Sequence, residues 1–201
     1  MPISTGNIAT LGPSLLEQCE AFGLAVVASY RAGKKTRSKL LRVQGKAPIH
    51  DNAEVQAMAR RCEVGVCLIL GLDPRTALNW DGEKCDPGED FDFHGTSVDV
   101  KGSDHPKAER LIWPVSKREF FYSDAADVLV FAKNGIGAKI NQVWAPTWTT
   151  KEEFSVYHKT ASGEHGVIDG TWYMFRHVTV KGMHPIGSLV LHVKGLERWT
   201  E

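Results

Sequence analysis

The residues best placed to do chemistry lie between Asp90 and Lys101, in the run Asp-Phe-Asp-Phe-His-Gly-Thr-Ser-Val-Asp-Val-Lys. Gly95 supplies the positive φ that a tight hairpin turn requires, and apolar and polar residues alternate on either side of it. A turn centred on His94 and Gly95 pairs Phe93 with Thr96, Asp92 with Ser97, Phe91 with Val98 and Asp90 with Asp99. Strand periodicity then sends Asp90, Asp92, Asp99 and Lys101 to one face and Phe91, Phe93, Val98 and Val100 to the other. Like charges directly opposite one another destabilise a sheet, so a sequence that keeps such acids beside a lysine suggests a bound cation. Two carboxylates and a main-chain carbonyl form a hard, oxygen-rich donor set suited to Mg2+ or Mn2+. A lysine on that face could balance the acids, stabilise charge developing on a phosphate or hold an attacking water. Asp-x-Lys alone is a common surface pattern, and a hairpin with weak ion pairs is the plain alternative.

Several elements must position this hairpin. Ser14 and Glu17 behind Pro13 have the spacing of a capping box, and Leu15, Cys19, Phe22, Val26 and Tyr30 follow at helical spacing as far as Gly33. Asp51 and Glu54 repeat the capping pattern before a second helix. There Val55, Met58, Ala59, Cys62, Val66, Ile69 and Leu70 form an apolar stripe that Gly71 and Pro74 close. Glu63 lies at the edge of that stripe, as either boundary solvation or an inward-facing acid. Residues 73–89 have loop composition. Strands are expected at Leu111–Val115, Val128–Phe131, Ile140–Ala145, Thr171–Phe175 and Leu189–Val193, with a short helix from Thr150 to His158 and a loop from Gly163 to Gly170. This order predicts an α/β or α+β fold, a mixed sheet flanked by helices.

The 201 residues carry 42% hydrophobic and 24% charged side chains, enough to build a core in one domain. No apolar run approaches the roughly 18 residues of a membrane span, and the N-terminal residues lack the layout of a signal peptide. Cys19, Cys62, Cys67 and Cys85 have no CxxC spacing, which predicts reduced, buried or idle thiols and a cytoplasmic location. The formal net charge of zero argues against a generally basic nucleic-acid binder. Between Arg31 and Lys46, however, stand seven basic residues and no acidic one, a stretch able to track a phosphate backbone or to form a solvated loop.

Glu63 in RRCEVGVCLILGL, Asp90 in EDFDFHG, and Asp99 with Lys101 in SVDVKGS together resemble the four-residue pattern of the PD-(D/E)XK nucleases. The likeness is greatest to small phage-type members of that restriction-endonuclease-like superfamily. It covers residues 50–145 well and runs more loosely through Gly170–Phe175 and His184–Val190, leaving residues 1–50 uncovered. The resemblance implies a restriction-endonuclease-like core over residues 51–195 of a single domain, preceded by the N-terminal helix and basic segment. It implies that Asp90 and Asp99, with the Val100 carbonyl, bind Mg2+ or Mn2+. Lys101 would position or activate water, and Glu63 would assist at the metal or the lysine. Glu89 stands where the pattern has proline, which leaves Asp86, Asp90 and Asp92 as choices for the first acid. The hairpin register favours Asp90, with Asp92 in reserve.

The activity so implied is metal-dependent hydrolysis of phosphodiester bonds, in DNA foremost. Lys34, Lys35, Arg37, Lys39 and Arg42 would contact the backbone without reading sequence. No membrane partner is expected, and a homodimer is left open. The alternative is an inactive module of the same fold that holds nucleic acid or a partner protein. Other constellations are weaker: His158 and His165 lack partners at zinc-site spacing. Trp113, Trp144, Trp148 and Trp172 suit base stacking or, more commonly, packing. Gly135-Ile136-Gly137 is no P-loop, and no Gly-x-Ser-x-Gly elbow is present.

Overall fold

The computed structural model describes residues 3–32, 52–78, 90–105, 107–115, 126–136, 139–156, 159–160, 167–168, 171–172 and 174–194. A hairpin of β1 (Ile3–Thr5) and β2 (Ile8–Thr10) precedes helix α1 (Pro13–Arg31), α2 (Ala53–Ile69) and the short α3 (Arg75–Leu78). The central hairpin follows as β3 (Phe91–Phe93) and β4 (Thr96–Ser103), then β5 (Arg110–Val115), β6 (Val128–Ile136) and β7 (Lys139–Thr150). Helix α4 (Lys151–Val156) leads to β8 (Lys159–Thr160), β9 (Val167–Ile168), β10 (Thr171–Trp172) and β11 (Met174–Thr179). The described chain ends with β12 (His184–Pro185) and α5 (Leu189–Val193).

The main sheet runs β1-β2-β7-β6-β4-β3, with β12 also paired to β7. Within it β4 and β6 are parallel and the other pairs antiparallel, which makes the mixed sheet expected of the sequence. A second sheet has the order β5-β11-β8, and β9 pairs with β10. Strand β6 is apolar from Val128 to Ala132 because it is buried on both faces. Val128, Val130 and Ala132 meet α2 and its neighbours, while Leu129 and Phe131 pack on the other side with Leu111 and Phe154.

Helix α2 is the structural pivot. Every residue from Arg61 to Cys67 is buried. Gly65 lets its backbone approach the sheet, for a Cβ there would lie 2.5 Å from the Val143 Cβ. The buried Arg61 donates from Nε to Asn134 Oδ1 on β6 at 2.9 Å and pairs with Glu54. The helix stops where expected: Gly71 adopts φ 75°, Leu72 N–H donates to the Cys67 carbonyl at 2.8 Å, and Gly71 N–H to Leu68 at 3.2 Å. This is the Schellman arrangement.

Several local expectations need correction: Arg75–Leu78 is a short helix and Val167–Ile168 a strand, both inside stretches expected to be loop. Asn52, rather than Asp51, caps α2, its Oδ1 accepting the Glu54 and Val55 amides at 3.0 and 3.4 Å. Helix α1 begins at Pro13, so Ser14 lies inside the first turn and accepts from Gln18 Nε2 at 3.1 Å instead of capping. Leu189–Val193 is a helix and not a strand. Its five residues, four of them apolar, are too few for periodicity to separate the two, and the chain arrives through a 3-10 turn at Ile186–Ser188. No described helix is long and apolar enough to cross a membrane.

Candidate active site

The hairpin forms in the expected register over three pairs, Phe91 with Val98, Asp92 with Ser97 and Phe93 with Thr96, but the expected fourth pair of Asp90 with Asp99 is not formed, because β3 starts at Phe91. Its turn places both His94 (φ 54°) and Gly95 (φ 86°) in the left-handed region, as a type I′ turn requires. Asp92 is exposed and spends Oδ1 on the Gly95 amide at 3.0 Å, which ties it to the turn. Asp90 lies just before β3 and outside its paired residues. Its N–H donates to the Val98 carbonyl at 2.8 Å, and its Oδ2 accepts the Val100 amide at 2.6 Å. A side chain thus continues the hydrogen bonding that the three-residue β3 leaves off. A strand residue points its N–H and C=O to the same side, so the Val100 carbonyl projects to that same edge.

Two faces of the sheet meet here. Val98 and Val100 pack towards α2, while Asp99 and Lys101 alternate with them and align in parallel register with Leu129 and Phe131 on the opposite face. Asp99 is buried, and Lys101 Nζ stands 2.8 Å from its Oδ2. Glu63 comes from α2, buried and ion-paired with Arg60. Asp90 feels all of them. Burial, then the charges of Glu63 and Asp99, push its carboxyl well above the usual carboxylate range, against the opposing pull of Lys101 and the Val100 amide. The four residues singled out in the sequence therefore gather around one strand edge.

Asp90 and Asp99 bring their carboxyl groups to this edge, the first bonded to the Val100 amide and the second to Lys101. Among the described residues no group of three or more His, Cys, Asp or Glu is set to hold a metal ion.

No family model, curated protein or solved structure matches this chain.

The remaining candidates are distributed elsewhere. Lys34, Lys35, Arg37, Lys39 and Arg42 lie outside the described residues, as do Cys85, Asp86, Glu89, His158 and His165. Trp148 is fully buried, donating from Nε1 to the Pro185 carbonyl and Ser188 Oγ at 3.1 Å each, and it stacks against His184 and His192. Trp144 meets Phe131 edge-on. Both tryptophans are packing residues. Burial pushes the Cys19 and Cys67 thiols up to about 12 and raises that of Cys62 as well, which keeps them protonated and inert. Two contributors escaped the sequence reading, the Val100 amide and Arg60. Arg60 had a signal, since it precedes Glu63 by three positions on a helix.

Proposed function

We propose that this chain is a divalent-metal-dependent nuclease of the PD-(D/E)XK type that hydrolyses phosphodiester bonds in DNA. The observation that carries this reading is the edge of β4, where Asp90 accepts the Val100 amide and Lys101 pairs with the buried Asp99, with Glu63 buried on the helix that packs against this strand. A mixed sheet with a helix laid across the hairpin is compatible with the restriction-endonuclease-like core that the motif implies.

In this reading Asp90, Asp99 and the Val100 carbonyl would hold Mg2+ or Mn2+, which would supply Lewis-acid polarisation of the phosphate and acidification of water. Lys101, an ammonium beside Asp99, orients the attacking water and offsets charge developing on the phosphate. Glu63 approaches from the helix side and balances that arrangement. The lysines and arginines from Lys34 to Arg42 supply contacts to the backbone.

The test is incubation of supercoiled DNA with the protein in Mg2+ or Mn2+ and in EDTA. Asp99→Ala should abolish the metal-dependent cutting, and Lys101→Ala should slow it by about 100- to 1,000-fold, as for loss of one electrostatic group. An Asp99→Ala protein that nicks as fast as wild type would remove the site assignment. Unchanged DNA binding in EDTA, with no nicking under any condition, would point to the non-cutting module.

A further inference from the structure

We infer that Arg60 is a positioning residue for Glu63, an inference that rests on the nuclease reading. Arg60 lies one helical turn before Glu63 on α2, and the two form an i,i+3 ion pair whose side chains are only 13% and 8% exposed. Pairs of this spacing on a helix surface contribute little, because both side chains move freely in water. This one is enclosed. The Arg60 guanidinium lies 3.7 Å over the Phe22 ring of α1, and Nη1 also donates to the Ala77 carbonyl of α3. Three separate elements therefore fix one planar cation, and that cation faces the Glu63 carboxylate.

The consequence follows from where Glu63 acts. Glu63 is buried on α2, and its neighbour Cys62 packs against Gly102 of β4, one position beyond Lys101. A buried carboxylate needs a counter-charge in a fixed place. A guanidinium supplies it with a rigid fork that an ammonium lacks. Arg60 acts on the site through its pairing with Glu63. It sets the direction from which Glu63 meets the site, and so links the packing of α1 and α3 to the strand edge.

A cycle of variants separates positioning from mere packing. Cleavage of supercoiled DNA in Mn2+ is measured as kcat and KM for wild type, Arg60→Lys, Arg60→Gln, Glu63→Gln and the Arg60→Gln/Glu63→Gln double variant, with urea unfolding of each. Arg60→Gln should lower kcat by about ten- to a hundredfold with KM within about twofold, the scale of a misplaced catalytic group. Arg60→Lys should recover part of that loss. In the Glu63→Gln background the same change should cost no more than about twofold, since residues acting as a unit are not additive.

Wild-type cleavage by Arg60→Gln or by Glu63→Gln, or an equal loss in both backgrounds, would overturn the inference. Should Arg60→Gln not fold, the cycle run with Arg60→Lys decides by the same criteria. A wild-type protein that neither cuts DNA nor binds Mn2+ would remove the nuclease reading, and this inference with it. A wild type that cuts while the cycle is additive would remove this inference alone.

Discussion

The Asp90 carboxyl accepts the Val100 amide while facing Glu63 and Asp99. These two roles have opposite effects on stability. The hydrogen bond favours the fold, whereas burial and like charge raise the carboxyl in the folded state above its ordinary value of 3.8. An acid shifted upward on folding costs stability once the pH exceeds its unfolded value, and the cost grows until the folded value is passed. Asp90→Asn keeps an acceptor and removes the charge, so at pH 7 it should unfold at a urea concentration equal to or above that of wild type. Asp90→Ala strands the Val100 amide and should be about 1–3 kcal/mol less stable than the Asn variant. An Asn variant weaker than the Ala variant would contradict this account. Asp90 also marks how far the sequence was legible. The pairs from Phe91–Val98 to Phe93–Thr96 follow from turn chemistry, which fixes register. The substitution of a carboxyl for the next main-chain bond does not, because it depends on where β3 stops.

At the scale of elements, α2 joins the core to the candidate site. Gly65 brings it against Val143 only two positions after Glu63. Gly65→Ala improves helix propensity by about 1 kcal/mol, yet it forces a methyl group into contact with the Val143 Cβ, and overpacking of this kind costs about 1–3 kcal/mol. The steric term should win. Urea unfolding should show a lower midpoint at unchanged slope, and a more stable variant would mean that Val143 moves aside freely. The apolar stripe of this helix was legible from its spacing, and its Gly71 stop from the left-handed conformation that glycine adopts readily. Its cap was legible only to within one residue, because Asp51 and Asn52 both satisfy the chemistry. Leu189–Val193 was misassigned for a different reason. A run of five residues has no period long enough to decide, and Leu189 is buried in the same core cluster as Trp148.

At the scale of the whole molecule, distant segments are tied across β7. Thr150 and Glu153 form a reciprocal capping box at the start of α4, with contacts of 3.0 and 3.1 Å, and Glu153 Oε1 reaches His184 Nε2 of β12 at 2.7 Å. Burial pushes the Glu153 carboxyl up, but the Thr150 amide, His184 and Thr149 outweigh it and hold the group below its ordinary value of 4.5. A carboxyl lowered on folding contributes stability above its unfolded value and loses it as pH falls through the folded one. Wild type should therefore melt above Glu153→Gln at pH 7, with the gap closing below pH 4.5. A gap that stays constant down to pH 3 (about one unit below the ordinary range) would show that the charge is irrelevant to this tie. The start of this helix at Thr150 was legible in the sequence, while its capping box came only with the structure. The β1–β2 hairpin against β7 was not legible, for each strand has three residues and no pattern of its own.

The described main sheet ends in strands of three residues at both margins, β1 on one side and β3 on the other. A bare margin invites a strand from another molecule, and short ends are one way proteins discourage it. Next to β3 the Asp90 side chain already occupies the Val100 amide. A foreign strand approaching there meets a filled donor and a cluster of negative charge, so the acids proposed to hold a cation also guard the sheet against intermolecular growth.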